Sequence, residues 1–302
     1  MLFIIQTALT LGCTYALVAL ALFLSYRVLD IADLTTDGCF VLGMAVSVTS
    51  ALAGHPVLGL FLALIAGAAA GSVTAFLQTR MGVPSILAGI VTNTGLYTIN
   101  LMVMGWSSNA SLLKQATVYT MFKDLGIGGS WSQLILSGAI TLVCMLGVRW
   151  FLTTRLGLSI RATGDNREMV SASSINPRFT ILIGLMIANS FTALSGALIG
   201  QMQKSADINS GTGIVVIGLA CLIIGETVMN GRKSLTRNIA ACLIGNIIYR
   251  FIYALILQTR ILPIECLKLM TAVIVALAIA APTMKDNAAL MVRIRKEKGE
   301  SC

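Results

Sequence analysis

Residues 1–24 read MLFIIQTALTLGCTYALVALALFL, with no charged side chain in the run. A helix rises 1.5 Å per residue, so ~20 apolar residues cross the ~30 Å hydrocarbon layer of a bilayer. The run has no basic leader and is too long for the apolar part of a secretion signal, so it is expected to remain as a membrane helix. Eight more runs of this kind follow, at about 35–54, 57–77, 84–105, 133–152, 179–201, 211–229, 238–257 and 264–283. Lipid forces every backbone N–H and C=O to be paired within its own segment. The expected fold is therefore all-α, a polytopic membrane helix bundle of about nine spans in one domain, 1–302. The short alternating strands of a membrane barrel do not occur.

Composition agrees. Hydrophobic residues make up 57% of the 302 and charged residues 11%, where a soluble domain has about 45–50% and about 25%. The formal charge is +9, but the basic residues lie in junctions between apolar runs, which is a topology signal and not a nucleic-acid footprint. Arg27 and Arg80 mark two junctions. Arg149, Arg155, Arg161, Arg167 and Arg178 mark a third, and Arg232, Lys233 and Arg237 a fourth. The tail 285–302 is also basic. With nine spans all five fall on one side, expected to be cytoplasmic, with the N-terminus outside and the C-terminus cytoplasmic. The connection 106–132 then lies outside. The cysteines (Cys13, Cys39, Cys144, Cys221, Cys242, Cys266 and Cys302) are scattered, without the spacing of a disulfide framework or zinc site.

Polar residues within apolar runs are the functional candidates. Asp33 and Asp37, in DLTTDG (33–38), either face a central cavity or cap the second helix. Asn93, Asn100 and Asn189 either line a passage with them or bond between helices. Asp207 and Asn209 lie near the outer face, where they could meet another protein. Glu226 and Arg232 flank a junction and are expected to pair; Arg250, inside an apolar run, needs a buried partner or a route to the interface. The spacings Gly67/Gly71 and Gly196/Gly200 suit close helix approach, within the chain or across a dimer seam. DLTTDGCFVLG (33–43) and DINSGTGIVVIG (207–218) share an Asp, small residues and an apolar helix, a hint of an internal repeat.

The segment 153–178, containing RATGDNREMVSASSINP (161–177), is longer than the ~2–8 residues a helix reversal needs. Asp165 or Asn166 is expected to cap a short helix beginning at Arg167, with Gly164 a hinge before it and Pro177 closing the segment. Such a helix could dock into a groove of another protein; otherwise the segment is a solvated loop whose arginines fix topology.

Three stretches resemble one family. IRATGDNREMVSASSINP (160–177), LDIADLTTDGCFVLGMAV (29–46) and DINSGTGIVVIGLACLIIGE (207–226) are similar to the permeases of ABC importers of the branched-chain amino acid and ribose type, over roughly residues 10–283. The DLTTDG wording resembles most the branch associated with aromatic amino acids or uncharacterised solutes, so a branched-chain substrate is not carried over. The resemblance implies the pore-forming subunit of an importer in the bacterial plasma (inner) membrane, for an amino acid or similar small organic solute. It implies inverted halves within the chain and a second permease, a copy of this chain in a homodimer or else a related chain, surrounded by lipid, with a cytoplasmic ABC ATPase dimer, an extracytoplasmic solute-binding protein and no nucleic acid. Asp207 and Asn209 would be placed to meet the binding protein. Arg161, Ala162, Thr163, Gly164, Asp165, Asn166, Arg167 and Glu168 would couple to the ATPase. ATP and Mg would be held by that partner, with no cofactor on this chain, which lacks a G-x-x-x-x-G-K-[ST] phosphate loop.

The rival reading is a stand-alone secondary transporter or channel, against which the sparse intramembrane charge counts. An enzyme is not expected. His55 is the single histidine, beside Pro56 in a turn, and Ser195 has no evident base.

Overall fold

A computed structural model describes residues 2–113, 115–124, 126, 129–229, 234–259, 272–273 and 275–276. The expected span 264–283, apart from those last four positions, lies outside the described residues, as do Arg232, Lys233 and the tail 285–302.

Helix α1 (Leu2–Leu22) continues into π-helical turns (Phe23–Val28). Then come α2 (Thr36–Leu52), α3 (Pro56–Thr79), α4 (Ser85–Val103), strand β1 (Asn109–Ser111) and α5 (Val118–Asp124). A 3-10 turn (Gly129–Trp131) opens α6 (Ser132–Thr153), followed by α7 (Arg155–Asp165), α8 (Arg167–Ala172) and α9 (Pro177–Gln203). Strand β2 (Ser205–Asp207), a 3-10 turn (Ile208–Gly211), α10 (Ile214–Met229) and α11 (Leu235–Thr259) complete the described chain. The helical bundle is as expected, with one addition: β1 and β2 pair antiparallel, Asn109 opposite Asp207 and Ser111 opposite Ser205.

Among the described residues, seven helical stretches are long and apolar enough to cross a membrane, and α2 is a shorter apolar helix among them. Its 17 residues span only ~25 Å, less than a bilayer core. Helix α2 is instead enclosed by protein: Cys39, Phe40, Val41, Met44, Ala45 and Val48 are all buried. The outer helices carry exposed Phe61, Ile65, Ile90 and Val143, the apolar coat that lipid contact requires.

Glycine sets how closely the inner helices approach. A Cβ on Gly43 would strike the Ala193 carbonyl, and one on Gly196 the Phe40 carbonyl, so α2 and α9 touch backbone to backbone. Gly67 and Gly71 meet the backbone of Asn189 and Leu185, seating α3 on α9. Both glycine spacings therefore serve packing within the chain.

These contacts also give direction. Phe40 lies by Gly196 and Met44 by Gly200, so α2 runs parallel to α9. Ser195 donates to the Thr14 carbonyl while Gly184 packs on Leu29, so α1 runs antiparallel to it. One end of the bundle carries α7, α8, Arg27 and the end of α3 at Arg80; the other carries the β1–β2 pair. Four of the expected basic junctions thus share the α7 end, as far as they are described.

Two helices begin within the bundle. Helix α2 starts after a non-helical lead-in beside Asn189, well inside α9, and runs toward the β end. Helix α10 starts beside Asp37 and runs the opposite way, to Glu226 at the α7 end. Their N-termini meet inside the protein.

Candidate functional site

The meeting point of α2 and α10 borders a cavity of about 330 Å³ lined by Asp37, Gly38, Val41, Asn93, Thr94, Tyr97, Asn100, Ile208, Asn209, Gly211 and Thr212. Asp37 holds the two helices together. Its Oδ1 accepts from Val215 N at 2.9 Å and its Oδ2 from Gly213 N at 3.1 Å. A helix N-terminus carries unpaired N–H groups and a partial positive charge, and two of them face each other here. One carboxylate in the first turn of α2 answers both. Asp37 therefore caps α10 and not the second helix, α2, as the sequence suggested.

Asn93, Tyr97 and Asn100 recur at i, i+4 and i+7 on one face of α4, toward the cavity. Asn100 is 1% exposed, and its Nδ2 donates to the Gly38 carbonyl at 3.1 Å. That bond fixes the amide, leaving Oδ1 buried without a hydrogen-bond partner. Tyr97, Thr94 and Thr212 were not among the sequence candidates, although the seven-residue spacing of the two asparagines pointed to Tyr97.

Asp33 and Asn189 do not line this cavity; they bond each other, Asn189 Nδ2 donating to Asp33 Oδ2 at 2.7 Å. Asp33 Oδ1 takes Thr35 N at 2.9 Å. Of the two readings of Asn189, the bond to another segment is the one the geometry favours, and Asp33, expected to face a cavity or cap the second helix, is its partner.

Asp207 and Asn209 lie toward the β end. Asp207 Oδ1 accepts from Asn209 N at 2.7 Å, closing the turn after β2, and Asn209 also lines the cavity. Nearby, Gln201 is an unforeseen junction: its Nε2 donates to Ser47 Oγ and the Pro56 carbonyl, each at 2.8 Å, and its Oε1 accepts from Val118 N at 2.8 Å.

The segment 153–178 holds two helices at the α7 end. Thr154 caps α7 by accepting from Gly157 N at 3.3 Å. Gly157, Ile160 and Thr163 are buried while Leu158, Arg161 and Asp165 are exposed, a helical alternation that lays α7 along the bundle. Thr163 and Thr180 share a hydroxyl–hydroxyl bond of 2.8 Å. Gly164 is no hinge, which corrects that expectation: it is inside α7, where a Cβ would strike the Val28 carbonyl. Of the two expected caps of α8, Asn166 is the one that acts, its Oδ1 accepting from Met169 N at 3.0 Å, while Asp165 ends α7. Pro177 does not close the segment but opens α9, with Asn176 as cap.

Glu226 pairs with Arg27, Nε to Oε1 at 3.0 Å; the partner expected from the sequence, Arg232, lies outside the described residues. Arg250 finds aromatic partners: its guanidinium lies 3.7 Å from the Tyr15 ring centroid, with Tyr249 at 5.9 Å and Tyr253 at 6.0 Å. Among the described residues no group of His, Cys, Asp or Glu is placed to hold a metal.

A family model described as the permease component of branched-chain amino acid transport systems matches residues 4–282. The chain belongs to this permease family. The permease is 31% identical over 300 residues to a tyrosine transport system permease protein of Clostridioides difficile, covering 97% of this chain and 98% of that one. It is 32% identical over 289 residues to an uncharacterised protein of Rickettsia prowazekii, covering 94% and 99%. To the ribose import permease of Escherichia coli strain K12 it is 27% identical over 197 residues, covering 63% and 58%. No solved structure matches it. The permease is a multi-pass plasma-membrane transport protein of the ABC class.

Proposed function

We propose that this permease is the membrane subunit of an ABC importer for an amino acid or a similarly small organic solute, driven by a separate cytoplasmic ATPase dimer. The single domain 1–302 forms half of a pore, a second copy supplies the other half, and an extracytoplasmic binding protein delivers the solute at the β end, near Asp207 and Asn209. The solute passes the cavity beside α4, whose exposed Thr94, Tyr97 and Thr98 are polar for lipid contact. Helices α2 and α10, oppositely directed and each beginning inside the bundle, support an inverted pair of halves, and solute sites gather where such interrupted helices begin. The tyrosine permease relative supports an amino acid as solute.

The observation that carries the coupling role is the surface of α7 and α8. Arg161, Asp165, Asn166, Arg167 and Glu168 are exposed beside Leu158 and Met169, at 52% and 60% exposure. Exposed apolar side chains among charges suit a protein partner, the charges setting register and partner choice. Thr163 and Gly164 face the bundle, so their part is to seat the helix, with Ala162 half-buried beside them.

The test is gentle solubilisation of native membranes and mass spectrometry of what accompanies the chain. An ABC ATPase is expected with wild type and lost with Arg161→Glu/Asp165→Lys. A folded chain without any ATPase would favour a stand-alone transporter.

A further inference from the structure

The geometry points to the cavity beside Asp37 and Asn100 as a subsite for a primary ammonium group of the solute, with Tyr97 receiving the body that carries it. This rests on the permease reading and deepens it.

The cavity wall is biased toward acceptors. Asn100 Oδ1 is committed to no donor, because the Gly38 carbonyl holds the other end of the amide. A buried acceptor left without a donor is costly, and a site that keeps one is completed by a ligand or water that donates. The Asp37 carboxylate accepts one amide N–H on each oxygen, and a carboxylate oxygen has room for a second donor. Asn93 brings another amide against Gly38. No lysine, arginine or histidine lines the cavity to compete for these oxygens.

The number of N–H groups selects among donors. The N-termini of α2 and α10 offset most of the Asp37 charge at long range, so what the wall offers is acceptors at close range. A hydroxyl could satisfy Asn100 alone, whereas an ammonium satisfies Asn100 and is also attracted to Asp37. Tyr97 is 52% exposed and offers a ring face both to an apolar body and to a cation. A volume of about 330 Å³ is within the range of small-molecule sites, ~300–1,000 Å³.

The test uses the full chain in lipid nanodiscs and four probes: L-tyrosine, tyramine, 4-hydroxyphenylpropionate and ribose. Tyramine keeps the ammonium of tyrosine and hydroxyphenylpropionate keeps the carboxylate. Direct titration is expected to find L-tyrosine and tyramine bound, with hydroxyphenylpropionate and ribose weaker by about tenfold or more, the scale of one charge-assisted hydrogen bond. Asn100→Leu should weaken tyramine by a similar factor. The wild-type probe series stands alone if that variant folds poorly. Equal binding of hydroxyphenylpropionate and tyramine, preference for ribose, binding of no probe, or an Asn100→Leu chain that holds tyramine unchanged would each overturn the subsite. Copurification of the ATPase, followed on the same preparation, reports separately on the permease reading.

Discussion

Asp37 Oδ1 lies 2.9 Å from Val215 N, so a side chain on α2 caps the helix that begins 177 residues later at Ile214. With Gly213 N on the other oxygen, it ties two oppositely directed helices at their positive ends. Asp37→Asn keeps the shape and removes the charge. It is expected to cost ~1–2 kcal/mol, the range for a partly buried charge at a helix terminus. Thermal unfolding in detergent should show a lower midpoint for Asp37→Asn, and a lower one still for Asp37→Ala. An unchanged midpoint would mean the carboxylate does not hold the junction.

Gly164 tests how α7 is seated. Its Cα faces the Val28 carbonyl with no room for a Cβ. Gly164→Val must push α7 off the π-helical turns, at ~1–3 kcal/mol as for other overpacked sites. Limited proteolysis should then cut within 153–178 faster than in wild type, and ATPase capture should fall although no exposed partner-facing residue has changed.

The spans were legible because apolar runs of membrane length have few alternatives. Relations between distant residues were not. Nothing near Glu226 in the sequence pointed to Arg27, on the π-helical turns after α1, with which it pairs. Gly164 could be read as a hinge, since a glycine's use depends on what its absent side chain would touch, here the Val28 carbonyl. Asp37, Asn93 and Asn100 were visible as polar residues in greasy runs, and the cavity unites them; Asp33 and Asn189 had the same appearance and bond each other instead. Polarity within a span marks a residue for attention, but only packing decides between a cavity wall and an interhelical bond.

The Arg27–Glu226 pair joins the π-helical turns to the end of α10 at the α7 end. Its side chains are 42% and 16% exposed, so solvent screening limits it to about 1 kcal/mol or less. A double-mutant cycle should find Arg27→Gln and Glu226→Gln less than additive in unfolding midpoint, and Arg27→Glu/Glu226→Arg should recover part of what either reversal loses. Additive effects would mean that the two groups do not interact in the membrane.

Arg250 sets a cation–π gain against the cost of taking a cation out of water. Its guanidinium is 3.7 Å from the Tyr15 centroid, and its buried Nε has no hydrogen-bond partner. A desolvated cation–π contact contributes ~2 kcal/mol, while an uncompensated buried charge costs several. Arg250→Met removes both effects and should shift the unfolding midpoint little. Tyr15→Leu keeps the charge and removes its closest ring, so it should destabilise more, even though Tyr15 also stacks on Phe40 at 5.7 Å. The double variant Tyr15→Leu/Arg250→Met should then be more stable than Tyr15→Leu alone, because the stranded charge is gone. If the double variant is instead the least stable of the three, Arg250 stabilises the bundle through contacts other than the tyrosine rings.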